Sequence, residues 1–141
     1  MSCPFCDPQI IEDQQVYENA TERVILNIRP AKNLGRCSVV PKRHVSNIRE
    51  FTEEEAASFL KTVKLVAEKI NLEFRPLGFN YGLNEGAVAG QTVEHLHFHI
   101  VPRYKNDGIP EYHLFHRDPK EKTNLSSDEL LPIVEKLRRL F

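Results

Sequence analysis

His95-Leu96-His97-Phe98-His99-Ile100-Val101 alternates imidazole with apolar side chains. Successive side chains of a strand point to opposite faces. The pattern therefore predicts an extended segment over residues 93–101, with His95, His97 and His99 on one face and Leu96, Phe98 and Ile100 turned to a core. Rings at alternate positions stand about 7 Å apart along the strand. A lone histidine on such a face would be ordinary surface. Here half of the chain's six histidines fall within five residues, which points to chemistry.

The preceding segment repeats the division. Phe79, Tyr81 and Leu83 fall on one face of a strand predicted over residues 79–84, and Asn80, Gly82 and Asn84 on the other. Pairing the two strands sets asparagine and glycine beside histidine. The short connection carries Gly86 and Gly90, where backbone can approach a ligand and aim its amides at an anion. Upstream, residues 15–18, 23–28 and 35–41 read as strands, the second stopped by Arg29-Pro30, because the residue before proline is driven to extended geometry. Thr52-Glu53-Glu54-Glu55 is a capping box for a long helix. Phe59, Val63, Val66 and Ile70 mark its buried stripe as far as residue 74. Ser126-Ser127-Asp128-Glu129 caps a final helix carrying Leu130, Ile133, Val134, Leu137 and Leu140. Residues 104–124 are polar and irregular, a length that in a compact domain is often functional or ordered by a partner. Strands, one central helix, then strands again describe an antiparallel α+β domain.

The chain has 141 residues, enough for one core. A single domain is expected over 1–141, with the histidine row and main core in 1–104 and a loop plus C-terminal helix in 105–141. At 40% hydrophobic and 28% charged, the composition excludes disordered, collagenous and disulfide-stapled classes. Nineteen basic and twenty acidic residues leave a formal charge of −1, so no bulk basic field exists for a nucleic-acid polymer. A phosphate ligand would have to be held by a local site. No apolar run reaches the roughly 20 residues of a membrane span, and the N-terminus lacks a signal-peptide pattern, so the expected address is the cytoplasm.

Imidazole with a pKa of about 6.5 is largely neutral and nucleophilic near neutral pH. A row of three beside a glycine loop suits covalent attack on phosphorus, with neighbouring groups steadying the charge that develops on oxygen. The row alone does not say which ring attacks. At the N-terminus, Cys3 and Cys6 have the spacing of half a tetrahedral zinc site, to be completed by two ligands from His44 and the strand histidines. Free surface thiols fit the same spacing; a redox pair would belong beside a βαβ pattern, which is missing here. Cys37 reads as a small buried hydrophobe. The run Pro41-Lys42-Arg43-His44 reads more simply as a solvated strand end than as a phosphate patch. His113 and His116 read as ordinary surface residues, and Arg138 and Arg139 as partners of a helix dipole.

Taken together, these residues resemble the histidine-triad (HIT) superfamily of nucleotide hydrolases and transferases. Its signature alternates three histidines with apolar residues, as His95-Leu-His-Phe-His-Ile-Val101 does. Asn84-Glu-Gly-Ala-Val-Ala-Gly-Gln-Thr-Val93 is similar to the family's approach to the triad. Leu26-Asn-Ile-Arg-Pro30 and Val39-Val-Pro-Lys-Arg-His44 follow in the expected order. The resemblance covers roughly residues 3–104. It implies a five-stranded antiparallel sheet with one long central helix and a C-terminal helix, usually assembled as a homodimer. By the same resemblance, His97 is the nucleophile that attacks an α-phosphate and forms a nucleotidyl-histidine, and His99 and Gln91 contact the phosphate and leaving group. Asn27 meets the ribose, and Asn84, Gly90 and Thr92 lie near the phosphates. Zinc-containing members imply a structural Zn²⁺ held by Cys3, Cys6, His44 and His95. The chain departs from the family's usual pattern at Gly35-Arg36, where many members carry histidine, and it has no tryptophan, which many phosphoramidases have near their C-terminus. The implied activity is therefore that of the dinucleoside polyphosphate hydrolase branch. Phosphoramidate hydrolysis is the alternative, and a zinc-stabilised nucleotide-binding module without catalysis is the alternative from another class. No nucleic-acid polymer or membrane is expected as partner.

Overall fold

A computed structural model describes residues 2–28, 34–108 and 125–141. The elements are α1 (Pro8–Gln14), β1 (Gln15–Glu18), β2 (Glu22–Leu26), β3 (Cys37–Pro41), α2 (Glu53–Phe74), β4 (Gly78–Gly82), β5 (Phe98–Arg103) and α3 (Ser127–Arg138). The strands form one antiparallel sheet in the order β1-β2-β3-β5-β4. The expected α+β class and five-stranded sheet are what the chain adopts.

The sheet has one core face. Val24 and Leu26 of β2, Cys37 and Val39 of β3 and Ile100 of β5 pack against Phe59, Val63, Val66 and Ile70 of α2. Leu130, Val134 and Leu137 of α3 close the same core beside β1, so the predicted stripes of both helices are the buried ones. α2 starts at its predicted capping box: the Thr52 hydroxyl accepts from the Glu55 amide, and the Glu55 carboxylate accepts from the Thr52 amide. It ends where Arg75 turns left-handed at φ +48° ahead of Pro76.

Three readings need correction. The histidine strand joins the ladder only at Phe98, not at residue 93, and continues to Arg103. Before it, the Leu96 amide donates to the Val45 carbonyl at 2.7 Å, which draws residues 95–97 off the sheet toward the chain after β3. His95, Leu96 and His97 are all buried, so the clean division into polar and apolar faces holds only from Phe98 onward. β4 likewise ends at Gly82, two residues short of Asn84, because its partner strand stops there and Gly82 faces His99. The predicted second and third strands are trimmed to Glu22–Leu26 and Cys37–Pro41. α1 was not predicted; Asp7 caps it by accepting from the Gln9 amide, and Pro8 opens it. The Arg29-Pro30 stop, His113 and His116 lie outside the described residues. Among the described residues no helix is long and apolar enough to cross a membrane.

Candidate active site and metal centre

Three distant stretches of chain bring four ligand atoms together at one end of the sheet. Cys3 precedes and Cys6 ends a single 3₁₀ turn (Pro4–Cys6), His44 follows β3, and His95 precedes β5. Their ligand atoms all lie within 4.8 Å of one another. The Cys3 Sγ to His95 Nδ1 distance is 3.3 Å, Cys6 Sγ to His95 Nδ1 is 3.5 Å, and Cys6 Sγ to His44 Nδ1 is 3.6 Å. The edge between sulfur and nitrogen in a tetrahedral zinc site is about 3.6 Å, from bonds of about 2.3 and 2.05 Å. His95 is fully buried, and its Nε2–H donates to the Pro41 carbonyl at 2.7 Å. That bond fixes the tautomer and leaves the Nδ1 lone pair aimed at the thiols, the outer-sphere arrangement metal-bound imidazoles use. Burial and the adjacent Cys3 push the Cys6 thiol up. A dication reverses that tendency, and two thiolates with two neutral imidazoles cancel its charge. The residues fit a metal ion in geometry, charge and tautomer.

Two residues on, the same device gives the opposite result. His97 Nδ1–H donates to the backbone carbonyl of His95 at 2.8 Å. The proton is thereby assigned to Nδ1, and Nε2 keeps its lone pair. The ring is 7% exposed, and burial holds its pKa below the ordinary value, so it is neutral near pH 7. The Phe5 ring, held between the two cysteines, lies 5.0 Å from that of His97.

His99 stands beside it, ring centroids 4.8 Å apart and nearly perpendicular. Burial first, then His97 and the Arg36 charge, push its pKa down to about 3. It pairs with Ser38 across β3 and with Gly82 across β4, as the predicted asparagine-glycine face requires. The Ser38 hydroxyl lies 3.5 Å from His99 Nδ1 and donates to Asn27 Oδ1 at 2.9 Å. Asn27, Ser38 and His99 therefore form one transverse row.

The glycine loop is held together by Gln91. Gln91 does not engage the histidines: its Nε2 donates to the Ser46 carbonyl at 3.0 Å, and its Oε1 accepts from the Gly86 amide at 2.7 Å. The side chain is a clasp across the loop. Gly90, at φ +92°, has the Asn84 amide 3.1 Å from where a Cβ would sit, so those two are neighbours. Thr92 is exposed. A cleft beside this loop is lined by His44, Ser46, Glu50, Glu85, Gln91 and Glu94. Ser38 and Phe5 were missed by the sequence reading. Ser38 was discoverable from its place in a strand pairing with the histidines, whereas nothing in sequence places Phe5 on His97.

The chain is thus a small α+β domain with a thiol-imidazole knot beside a neutral, carbonyl-oriented histidine. The HIT domain model matches residues 9–106, and the chain belongs to that family and is an enzyme of it. It is 38% identical over 132 residues to the "protein hit" of Bacillus subtilis, covering 89% of this chain and 90% of that one. It is 35% identical over 121 residues to an adenosine 5′-monophosphoramidase of Schizosaccharomyces pombe, covering 79% of this chain and 86% of the relative. A bis(5′-adenosyl)-triphosphatase of Dictyostelium discoideum is 28% identical over 142 residues, covering 100% and 95%. A zinc-bound histidine triad family protein from Mycobacterium smegmatis superposes with a TM-score of 0.67 at 30% identity, over 100% of this chain and 99% of that one.

Proposed function

We propose that the protein is a nucleotide hydrolase or nucleotidyltransferase that cleaves nucleotide conjugates of the dinucleoside polyphosphate type at the α-phosphate. The observation that carries this reading is the 2.8 Å bond from His97 Nδ1 to the His95 carbonyl, which leaves Nε2 as the attacking atom. His97 Nε2 bonds to the α-phosphorus as the bond to the leaving phosphate oxygen breaks, and the departing chain takes those electrons. Water, or another acceptor hydroxyl in a transfer, then attacks the same phosphorus. The P–N bond breaks, the imidazole regains its lone pair and a nucleoside monophosphate is released. His99, neutral at working pH, contacts the phosphate and the leaving group, and the proton of the resolving water passes to solvent. The Ser38–Asn27 pair orients the ribose end. Gln91 acts through the loop it clasps, presenting Gly90, Thr92 and Asn84 to the phosphates.

Zn²⁺ is the metal this knot would hold, on Cys3, Cys6, His44 and His95, and its contribution there is structural: it pins the N-terminus and, through His95, the carbonyl that orients His97. Edge strand β4, with Leu77 and Tyr81 exposed beside it, supports a homodimer joined along that side. The relative named as an adenosine 5′-monophosphoramidase favours a second reading, in which the same attack expels an amine. Comparing kcat/KM on diadenosine polyphosphates and adenosine phosphoramidates ranks the two. Intact-mass measurement after rapid quench should show one nucleotidyl adduct per chain, absent in His97→Ala. No turnover of either substrate set and no adduct would leave a nucleotide-binding module instead.

A further inference from the structure

The hydrogen bond from His97 Nδ1 to the His95 carbonyl chooses a nitrogen but leaves one motion open. The χ2 torsion of histidine is broad, so a ring held at one nitrogen still swings about that bond. The swing displaces Nε2, on the far side of the ring. In-line attack is exacting, and a misplacement of about 1 Å costs about a hundredfold in rate.

Two rings lie against that of His97. His99, fixed in the ladder between Ser38 and Gly82, meets it nearly perpendicular with centroids 4.8 Å apart. Phe5 meets it at 5.0 Å with a tilt of 47°. The phenyl ring also stands edge-on to His95, at 6.0 Å and 88°. These are separations at which aromatic pairs attract. Phe5 belongs to the 3₁₀ turn Pro4–Cys6, which is seated where Cys3 Sγ and Cys6 Sγ both reach His95 Nδ1. Among the described residues, Phe5 takes no part in the hydrophobic core under α2. Its ring packs on two histidines instead.

We propose that Phe5 is a positioning residue, whose ring braces that of His97 and keeps Nε2 in line with the α-phosphorus. This rests on the reading of His97 as nucleophile, and adds a second path, by side chain, from the cysteine turn to the attacking ring. The test compares native protein, Phe5→Leu and Phe5→Tyr in single-turnover hydrolysis of diadenosine triphosphate, or of adenosine phosphoramidate if that is cleaved faster. AMP affinity is read by calorimetry, metal content by elemental analysis and the His97 ring signals by ¹H–¹³C NMR. Phe5→Leu should slow the single turnover about ten- to a hundredfold and shift the His97 signals, because the neighbouring ring current is gone. AMP affinity and metal content should stay within about twofold of native. Phe5→Tyr, which keeps the ring, should turn over within about threefold of native.

A Phe5→Leu rate within twofold of native overturns the proposal, as does Phe5→Tyr as slow as Phe5→Leu. A loss of AMP affinity equal to the loss of rate also overturns it, marking direct contact with the nucleotide. So does a loss of metal that matches the loss of rate, which would mark a residue that only supports the knot. If Phe5→Leu does not fold, Phe5→Met carries the same readings. Native protein that cleaves neither substrate would overturn the nucleotide reading and this proposal with it, a result distinct from native turnover that ignores Phe5.

Discussion

His95 and His97 are two residues apart and chemically identical, yet their rings are set to opposite uses. His95 gives its Nε2 proton to the Pro41 carbonyl and turns Nδ1 toward two thiols. His97 gives its Nδ1 proton to the His95 carbonyl and keeps Nε2 for a ligand. Which nitrogen is left with its lone pair is decided by which nitrogen a backbone oxygen occupies. The knot joins distant chain segments and has no place in the sheet. The row of Asn27, Ser38 and His99 is built on β3, β5 and the residue that follows β2. In the function proposed above, one region fastens the chain and the other does the chemistry, and they meet in a single residue, His95.

The sharpest way to break this comparison is His97→Ala. We expect kcat/KM to fall by about 10⁴-fold, as for removal of a covalent nucleophile, with metal content and thermal midpoint unchanged. A comparable loss of metal would show that the two regions are not separable. Next in size, Cys3→Ser or His44→Ala should strip the metal, measured by elemental analysis, and lower stability by several kcal/mol in denaturant titration. Activity should drop about ten- to a hundredfold, because His97 loses its orientation and keeps its atom. Zinc-free protein of equal stability would remove the fastening role and leave the chemistry standing.

A smaller effect separates the rings by pH. His99 is held at about 3 in the fold, against about 6.5 in the unfolded chain. Between those values the unfolded state binds more protons, so this contribution to stability is intact above pH 6.5 and lost as pH falls toward 3. His99→Asn should flatten the stability curve by about 2 kcal/mol near pH 4.5, read from urea midpoints at several pH values. The smallest expected change is Ser38→Ala. Losing the hydroxyl between Asn27 and His99 should cost about 1 kcal/mol, seen as a several-fold rise in KM with metal content untouched.

Much of this was legible from residue order. The capping box at Thr52, the stripe of α2 and the pairing of Gly82 with His99 all follow from local periods of 3.6 and 2. The grouping of Cys3, Cys6, His44 and His95 came from resemblance, since spacing alone left free thiols as an equal reading. What sequence could not give was tertiary in origin. Period-2 alternation ran through His95, but the Leu96 bond to Val45 ended the ladder at Phe98. Gln91's phosphate contact is implied by the resemblance alone, and residue order does not show that its side chain is held by Ser46 and Gly86, the former 45 residues back in the chain. Phe5 meets His97 only because the flanking cysteines reach His95.

The knot also has a consequence in time. During synthesis Cys3 and Cys6 are made 92 and 89 residues ahead of His95, their innermost partner. Until then both thiols are open to oxidation or to stray metal, and the 3₁₀ turn between them has nothing to rest on. The cysteine turn must wait for a residue about ninety positions later before it finds its place.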